Sequence, residues 1–258
     1  MTTFVEVTEL AGDEVSQEQV DRVCSRYAWA LGYVNGKDVL EVACGTGPGL
    51  GLLRGAARSL VGGDISDPIL ERARAHYGAR VDIRKLDAVA LPFADASLDV
   101  VIIFEALYYV PDAQKFADEC RRVLRPNGVV LVSNANKDLF DFNPSPHSHV
   151  YHGVVELDQM FVARGFKTRF WGDVPLASVS LKQKVLRPIK RTVVALNLMP
   201  KSMAGKKLLK RLVFGNMRPF PAEITSAMLP VATSLVPIEA GGPDGRHKVI
   251  LCEARLAG

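Results

Sequence analysis

Short runs of apolar residues alternate with longer amphipathic stretches over most of the chain. Runs with strand character occupy residues 39–42, Ser59–Gly63, Val81–Leu86, Leu98–Phe104, Val129–Ser133, Phe166–Trp171 and Lys248–Arg255. Apolar residues at helical spacing occupy Val15–Gly32, Leu50–Arg58, Ala113–Leu124 and Leu157–Arg164, and a further helix begins at Ser66, Asp67 and Pro68. Strands joined by crossover helices are typical of a nucleotide-binding α/β fold.

The first strand runs into a glycine-rich turn, VLEVACGTGPG, over Val39–Gly49. Gly45, Gly47 and Gly49 have no Cβ, so the backbone can turn sharply and come close to a ligand. The spacing of these glycines does not fit the G-x-G-x-x-G pattern of dinucleotide sites. Glu41 precedes the turn, and an acid at that place favours a cationic ligand over a phosphate.

This strand and turn resemble motif I of class I S-adenosylmethionine-dependent methyltransferases, in which an acid is followed by alternating small residues. Glu41, Ala43, Gly45 and Gly47 fill that pattern, and the variant CGTG is common in the family. The competing interpretation is a glycine turn that serves only packing.

Two later segments add to the resemblance. GGDISDPIL places Asp64 at the end of the second strand, where an acid can accept hydrogen bonds from ribose hydroxyls. DAVALPF places Asp87 and Ala88 after the third strand, where the family binds adenine. The resemblance implies S-adenosylmethionine as the cofactor. Tyr27, in the helix before the first strand, is an expected cofactor contact, and the competing role for its ring is packing on the sheet. The expected cofactor contacts are Tyr27, Glu41, Ala43, Gly45, Thr46, Gly47, Asp64, Ile65, Asp87, Ala88, Phe104, Glu105 and Ala106.

The resemblance also implies a fold. We expect a Rossmann-like, doubly wound α/β sheet of seven strands, with an antiparallel last strand between the fifth and sixth strands. The expected segments are a cofactor-binding core at 1–170, a basic helical insertion at 171–245 and the last core strand at 246–258. Within them, helices are predicted at 179–197, 202–214 and 222–234, and a loose lead-in at 1–13.

Charge is unevenly distributed, although the net charge is only +4. Between Val174 and Ala222 there are eleven Lys and Arg and no Asp or Glu, which leaves 21 basic and 28 acidic residues elsewhere. A basic insertion on an acidic body predicts a lid that meets an anionic small-molecule acceptor or an anionic membrane surface, unless its charges are merely solvated. The acidic body and the few aromatic residues of the insertion disfavour nucleic acid as a partner.

Three of the five histidines lie in the loop after the fifth strand, at His147, His149 and His152. This loop leaves the carboxyl edge of the sheet, so His149 and His152 are candidates for the general base that activates an acceptor. The alternatives are polar loop roles, or an H-x-H-x-x-H zinc site that lacks an obvious fourth ligand; we expect no metal. Tyr108 and Tyr109 either line the acceptor site or form an aromatic layer beneath it.

The chain has 258 residues, 48% of them hydrophobic, which predicts one elaborated α/β domain or at most two domains. Four scattered cysteines, an acidic N-terminus without a signal pattern and the lack of a long apolar run predict a cytoplasmic protein.

The sequence is compatible with three functions. It does not predict the oligomeric state or the identity of the acceptor. The first is methyl transfer to an oxygen of a sugar or other small molecule. The first helix, the histidine loop and the basic insertion are loosely similar to methyltransferases of bacterial surface-glycan pathways. The second function is lipid- or quinone-type methyl transfer at a membrane surface. The third is S-adenosylmethionine binding without catalysis.

Overall fold

The structure is a computed structural model, and it describes residues 4–176, 217–231 and 235–258. The described helices are α1 Gln17–Val34, α2 Leu50–Ala56, α3 Asp67–Tyr77, α4 Ala113–Val123 and α5 Val154–Val162. The described strands are β1 Glu14–Ser16, β2 Asp38–Val42, β3 Ser59–Asp64, β4 Asp82–Lys85, β5 Leu98–Phe104, β6 Leu124–Ala135, β7 Phe166–Pro175, β8 Met217–Pro219, β9 Val236–Ile238 and β10 His247–Leu256.

The main sheet has eight strands in the order β4-β3-β2-β5-β6-β10-β7-β9. Strands β2 to β6 run parallel, and β10 lies antiparallel between β6 and β7. The predicted Rossmann-like fold with an antiparallel last strand is therefore confirmed. The sheet has one strand more than predicted, because the short β9 pairs with β7 at its edge.

Apolar cores lie on both faces of the sheet, because the central strands are apolar on both faces. In β5, Val101 and Ile103 belong to the core that includes α4 and α5, whereas Val100 and Ile102 belong to the core that includes α1 and α2. The strand order reverses between β2 and β5, so the connections that leave their carboxyl ends diverge. This divergence opens a crevice at the end of the sheet where ligands bind in such folds.

Strand β6 begins earlier than the sequence predicted, at Leu124 and not at Val129, because the chain enters the sheet directly after α4. The residue that takes the left-handed backbone conformation in this stretch is Asn127, with φ of 65°, and not Gly128. Glycine is required at position 128 for a different reason. An added Cβ would lie 2.8 Å from the carbonyl oxygen of Arg125.

The segment at 4–13 is not the loose lead-in that was predicted. Strand β1, which follows it, pairs antiparallel with β8, which lies within the predicted insertion. The N–H of Gly12 donates to the carbonyl of Phe220, and the N–H of Phe220 donates to the carbonyl of Asp13. Backbone hydrogen bonds thus join the N-terminal segment to the residues that follow the undescribed residues 177–216.

Two of the helices predicted in the insertion lie outside the described residues, at 179–197 and 202–214. The third, predicted at 222–234, was wrong for the residues that the structure describes, which contain a single 3₁₀ turn at Ser226–Met228. Ile224 is buried and its N–H donates to the carbonyl of Pro48 at 2.6 Å. The chain is therefore held against the glycine turn instead of coiling into a helix.

The predicted boundaries of the three segments, 1–170, 171–245 and 246–258, stay predictions. Glu223, inside the predicted insertion, forms an ion pair with Arg80 and a hydrogen bond with His76 next to the end of α3. The described end of the insertion thus packs on the core of the protein.

Gly49 tests how closely α1 packs against the glycine turn. A Cβ at Gly49 would lie 2.1 Å from Cε1 of Tyr27, a buried ring. We expect Gly49→Ala to lower the free energy of unfolding by about 1–3 kcal/mol in urea denaturation, because the ring must move. In the matched control Gly55→Ala the added Cβ meets nothing within 4 Å, so stability should rise by up to about 1 kcal/mol. Equal losses in both variants would contradict this packing.

Candidate functional site

A cavity of about 560 Å³ opens in the crevice at the carboxyl ends of β2, β3 and β5. Ten of the thirteen predicted cofactor residues line this cavity. They are Ala43, Gly45, Thr46, Asp64, Ile65, Asp87, Ala88, Phe104, Glu105 and Ala106. The structure therefore brings most of the predicted cofactor residues to one place, although they come from four separate segments of the chain.

Asp64 connects two of these segments. Its Oδ2 accepts a hydrogen bond from the N–H of Gly45 at 3.0 Å, and its Oδ1 accepts one from the N–H of Ser66 at 2.9 Å. Burial raises the pKa of the Asp64 carboxyl, and the bonds from the backbone oppose that rise. The turn around Gly45 contains left-handed residues, with φ of 52° at Ala43 and 60° at Gly45, so its conformation depends on such anchoring.

Glu41 and Tyr27 lie beneath the cavity and do not line it. Tyr27 is buried against Phe104, and its hydroxyl donates to Oε1 of Glu41 at 2.5 Å. Oε2 of Glu41 is buried and has no hydrogen-bond partner among the described residues. Burial raises the pKa of the Glu41 carboxyl to about 7. The structure thus gives Tyr27 the packing role and leaves one carboxylate oxygen of Glu41 unsatisfied under the glycine turn.

Gly47 also lies outside the cavity lining. Its carbonyl accepts a hydrogen bond from the Tyr77 hydroxyl at 2.5 Å, and a Cβ at this position would lie 2.5 Å from Cδ1 of Leu50. With φ of 75°, this glycine allows the turn to pack against α2 and α3.

Asp87 and Ile65 lie at the predicted adenine end of the cavity. Oδ1 of Asp87 accepts a hydrogen bond from the N–H of Val89 at 3.0 Å, so this carboxylate also caps a turn of the chain. Ile65 is 45% exposed although it is a large apolar residue. An exposed apolar side chain and an exposed carboxylate that line the same cavity suit a flat heterocycle with an amino group.

The other half of the cavity is built at the end of β5. Glu105 has a left-handed backbone conformation with φ of 52°, and its carboxylate accepts hydrogen bonds from Ser133 Oγ at 3.0 Å and Tyr108 Oη at 3.3 Å. Tyr108 and Tyr109 both line the cavity, which favours the acceptor-site interpretation over an aromatic layer beneath it. Tyr108 stacks on Tyr151, with ring centroids 4.2 Å apart.

The structure separates the two candidate bases. His149 lines the cavity, and its backbone N–H donates to the carbonyl of Tyr108 at 2.7 Å. His152 does not line the cavity, and its Nδ1 is buried without a hydrogen-bond partner in the described chain. Burial lowers the pKa of the His152 imidazole, which disfavours its charged form. Within the described ranges, no group of three or more His, Cys, Asp and Glu side chains could hold a metal ion.

Several cavity residues were missed in the sequence. Phe4, Val7, Thr8 and Glu9 line the cavity from the N-terminal side, as do Arg22, Arg26 and Phe220. The two arginines are spaced one helical turn apart, and that spacing could have drawn attention to them. The N-terminal residues show no motif, and their position depends on the pairing of β1 with β8.

Residues 40–132 match a family described as the methyltransferase domain. A probable S-adenosylmethionine-dependent methyltransferase of Mycolicibacterium smegmatis is 38% identical over 136 residues, which cover 51% of this chain and 52% of that protein. An O-methyltransferase of Penicillium expansum is 31% identical over 158 residues, covering 59% and 53%. A demethylmenaquinone methyltransferase of Clavibacter sepedonicus is 35% identical over 120 residues, covering 46% and 48%. The chain spans about half the length of these relatives.

The crystal structure of the YcgJ protein from Bacillus subtilis matches 90% of this chain and 98% of its own, with a TM-score of 0.59 and 16% identity, which shows a common fold. The family match at residues 40–132 contains the glycine turn, Asp64 and Asp87. Residues 40–132 therefore form a methyltransferase domain of the class I, S-adenosylmethionine-dependent kind. Its cofactor is therefore S-adenosylmethionine.

The residues of this methyltransferase domain fit that cofactor. S-adenosylmethionine carries an ammonium and a sulfonium charge, and the buried, unpartnered Oε2 of Glu41 supplies a negative group under the turn. The backbone of Gly45 would hold the methionine portion, Asp64 the ribose, and Asp87 with Ala88 the adenine. Each of these last four residues lines the cavity.

The burial of Glu41 predicts a pH-dependent stability. The pKa of its carboxyl is about 7 in the folded protein and 4.5 in the reference state. The folded state thus binds more protons between these values, and stability falls as the pH rises from 4.5 to 7. Glu41→Gln keeps an acceptor for Tyr27 and has no charge to bury. We expect it to match wild type near pH 4.5 and to exceed it by about 3 kcal/mol above pH 7.

Thermal and urea unfolding without cofactor, between pH 4.5 and 8, measure this difference. A pH-independent gap between the two proteins would contradict the buried position of the Glu41 carboxyl.

Proposed function

We propose that this protein transfers the methyl group of S-adenosylmethionine to an oxygen of a small-molecule acceptor. The observation that carries the proposal is that a single cavity joins two chemically different halves. One half holds Gly45, Asp64 and Asp87, and the other holds Glu105 and Tyr108. A cofactor and an acceptor bound in one cavity can be kept in line, and such orientation supplies roughly 7–11 kcal/mol of rate enhancement.

When bound, S-adenosylmethionine supplies a methyl group on a positively charged sulfur. The residues of the chain position the acceptor opposite that group and handle its proton. Tyr108 and Tyr109 offer flat apolar faces and hydroxyls to the acceptor. His149 is the proposed base, because an imidazole that lines the cavity can take the proton that the acceptor oxygen loses. Its position is set by the backbone hydrogen bond to Tyr108.

The acceptor is proposed to be a sugar or another small metabolite. The relative from Penicillium expansum is named as an O-methyltransferase, which supports oxygen as the methylated atom. We propose the cytoplasm as the place of action, since all four cysteines are buried and free. Methyl transfer to any acceptor would exclude the remaining alternative, a protein that binds the cofactor without catalysis.

A second candidate is methyl transfer to a quinone or lipid at a membrane surface. Phe140 and Val150 are 74% and 57% exposed on the loop that carries His149. The relative from Clavibacter sepedonicus is named for a menaquinone precursor. Among the described residues, no helix has the length and apolar character to cross a bilayer. Co-flotation of the full chain with anionic liposomes, and its loss in a Phe140→Ser, Val150→Ser variant, would favour this candidate over a soluble sugar.

Cofactor binding at Asp64 tests the proposed function first. Calorimetric titration should show micromolar binding of S-adenosylmethionine and S-adenosylhomocysteine to wild type. Asp64→Ala should weaken both by about tenfold or more, because it removes the ribose acceptor and releases Gly45. Glu71→Ala, an exposed change on α3 outside the cavity, is the matched control. Unchanged binding in Asp64→Ala, with the fold intact by circular dichroism, would place the cofactor elsewhere.

The two histidines make a second test, once screening with radiolabelled cofactor has found an acceptor. His149→Ala should lower kcat by about 10²–10⁴-fold with little change in cofactor affinity, because the proposed base is lost. His152→Ala should keep most of the activity, since this residue lies away from the cavity. The reverse ranking of the two variants would show that His149 is not the base.

A further inference from the structure

The acceptor half of the cavity has an aromatic wall, formed by Phe4, Tyr108 and Tyr109. Tyr108 and Tyr109 lie in the 3₁₀ turn after β5, and their ring centroids are 4.7 Å apart. Phe4 comes from the N-terminal segment and meets the Tyr109 ring edge to face, with centroids 5.7 Å apart. Two distant parts of the chain thus contribute rings to one surface of the cavity.

Contacts behind this wall fix the two tyrosine rings. Tyr108 stacks on Tyr151 at 4.2 Å, and the Tyr109 hydroxyl forms a hydrogen bond of 2.5 Å with Oγ of Ser145. Ser145 and Tyr151 belong to the loop that carries His149, and the N–H of Ser145 donates to the Tyr151 hydroxyl at 3.0 Å. The wall is therefore preformed, so its rings lose little conformational freedom when a ligand binds.

Most polar groups of the acceptor half already have partners within the protein. The Tyr108 hydroxyl donates to Glu105, which also accepts from Ser133 and lies 3.9 Å from Arg22. The Tyr109 hydroxyl is engaged by the loop behind it. A sugar carries hydroxyls around its ring, and each of them needs a hydrogen-bond partner when it leaves water. A half with paired polar groups and apolar ring faces suits a flat apolar ligand better than a sugar.

The imidazole of His149 is the exception among these polar groups. It is exposed, lines the cavity and forms no hydrogen bond or ion pair with any residue that the structure describes. It can therefore take a proton from one hydroxyl of a ligand. A phenolic hydroxyl, whose pKa is about 10, gives up its proton far more readily than a sugar hydroxyl does. One free imidazole beside an aromatic wall thus fits a ligand with an acidic hydroxyl on a flat ring.

We propose that the acceptor is an aryl alcohol, such as a phenol or naphthol, whose ring packs on Phe4, Tyr108 and Tyr109 with its hydroxyl at His149. The inference rests on the proposed function and narrows the acceptor from small molecules in general to this chemical class. Aromatic rings prefer offset-stacked or edge-to-face contacts with one another, and this preference adds to the gain from burying apolar area.

The proposed methyl transfer to such an acceptor is balanced without a further reactant. The phenolic oxygen forms a bond to the methyl carbon while the bond between that carbon and the sulfur breaks. The electron pair of the broken bond stays on the sulfur, which becomes neutral. The phenolic proton passes to the imidazole of His149, from which water removes it.

Calorimetry on the full chain saturated with S-adenosylhomocysteine tests this acceptor class. The three probes are 2-naphthol, its saturated analogue decahydro-2-naphthol, and methyl β-glucopyranoside, so that aromatic character and the number of hydroxyls vary separately. The variants are Phe4→Leu and Tyr109→Leu, which remove a ring and keep apolar bulk. Phe140→Leu, which removes a 74% exposed ring outside the cavity, is the matched control.

We expect wild type to bind 2-naphthol about tenfold more tightly than either other probe, because two or three aromatic contacts act together. Phe4→Leu and Tyr109→Leu should each weaken 2-naphthol by about two- to tenfold. Both variants should bind S-adenosylhomocysteine as wild type does, which also shows that they are folded. Phe140→Leu should match wild type for every probe.

The aryl acceptor is overturned if 2-naphthol fails to bind the saturated protein, or if decahydro-2-naphthol or the glucoside binds as tightly. It is also overturned if both wall variants bind 2-naphthol as Phe140→Leu does. The comparison of the three probes on wild type decides the matter even where Tyr109→Leu does not fold.

Failure of the proposed function would look different. Wild type would then bind no S-adenosylhomocysteine. Binding of S-adenosylhomocysteine together with the glucoside, and not with 2-naphthol, would keep the proposed function and overturn the aryl acceptor.

Discussion

The carboxylate of Asp64 holds together the two turns from which the cofactor half of the cavity is made. It accepts hydrogen bonds from Gly45, after β2, and from Ser66, after β3. Asp64 is buried, and a buried N–H that loses its acceptor costs about 1–3 kcal/mol. The shape of the glycine turn is therefore set within the protein itself. A residue expected to bind the ribose also holds the turn that would bind the methionine portion.

Backbone strain and burial concentrate around the same place. Ala43 and Glu105 follow the neighbouring strands β2 and β5, and both have φ of 52°, a conformation that non-glycine residues rarely adopt. Such strain is found mostly at functional sites, where the surrounding structure enforces it. Ser133 holds Glu105 in this backbone conformation. The Ser133 hydroxyl donates to the Glu105 carboxylate, and the Ser133 carbonyl accepts a hydrogen bond from the Glu105 N–H. Hydrogen bonds within the protein thus hold the acceptor half of the cavity in its conformation, as they do the cofactor half.

Much of this architecture could be predicted from sequence, because it depends on local patterns. The glycine turn, the acid at the end of β3 and the order of strands are written in short segments, and the structure confirms the fold. Gly47 shows the limit of such reasoning. Its place in the motif suggested a contact with the ligand. In the structure Gly47 packs against Leu50 and Tyr77, which occupy the space that a Cβ would fill.

The features that were missed depend on contacts between distant parts of the chain. Residues 4–13 were expected to be loose because nothing in their own sequence holds them. Four of them, Phe4, Val7, Thr8 and Glu9, line the cavity, and β1, which follows this segment, pairs with β8 some 200 residues later in the chain. His152 was paired with His149 as a candidate base because both lie in one loop. Only the path of that loop, which half-buries His152 and leaves His149 exposed, could distinguish them.

The proposed reaction requires one cavity to hold the cofactor and present its methyl group to an acceptor at the end of β5. A crystal structure of the protein with S-adenosylhomocysteine would show whether it does. We expect the ribose at Asp64, the adenine beside Asp87 and Ile65, and the sulfur facing Glu105 and Tyr108. A cofactor bound outside this cavity, or bound with its sulfur turned away from the end of β5, would contradict it.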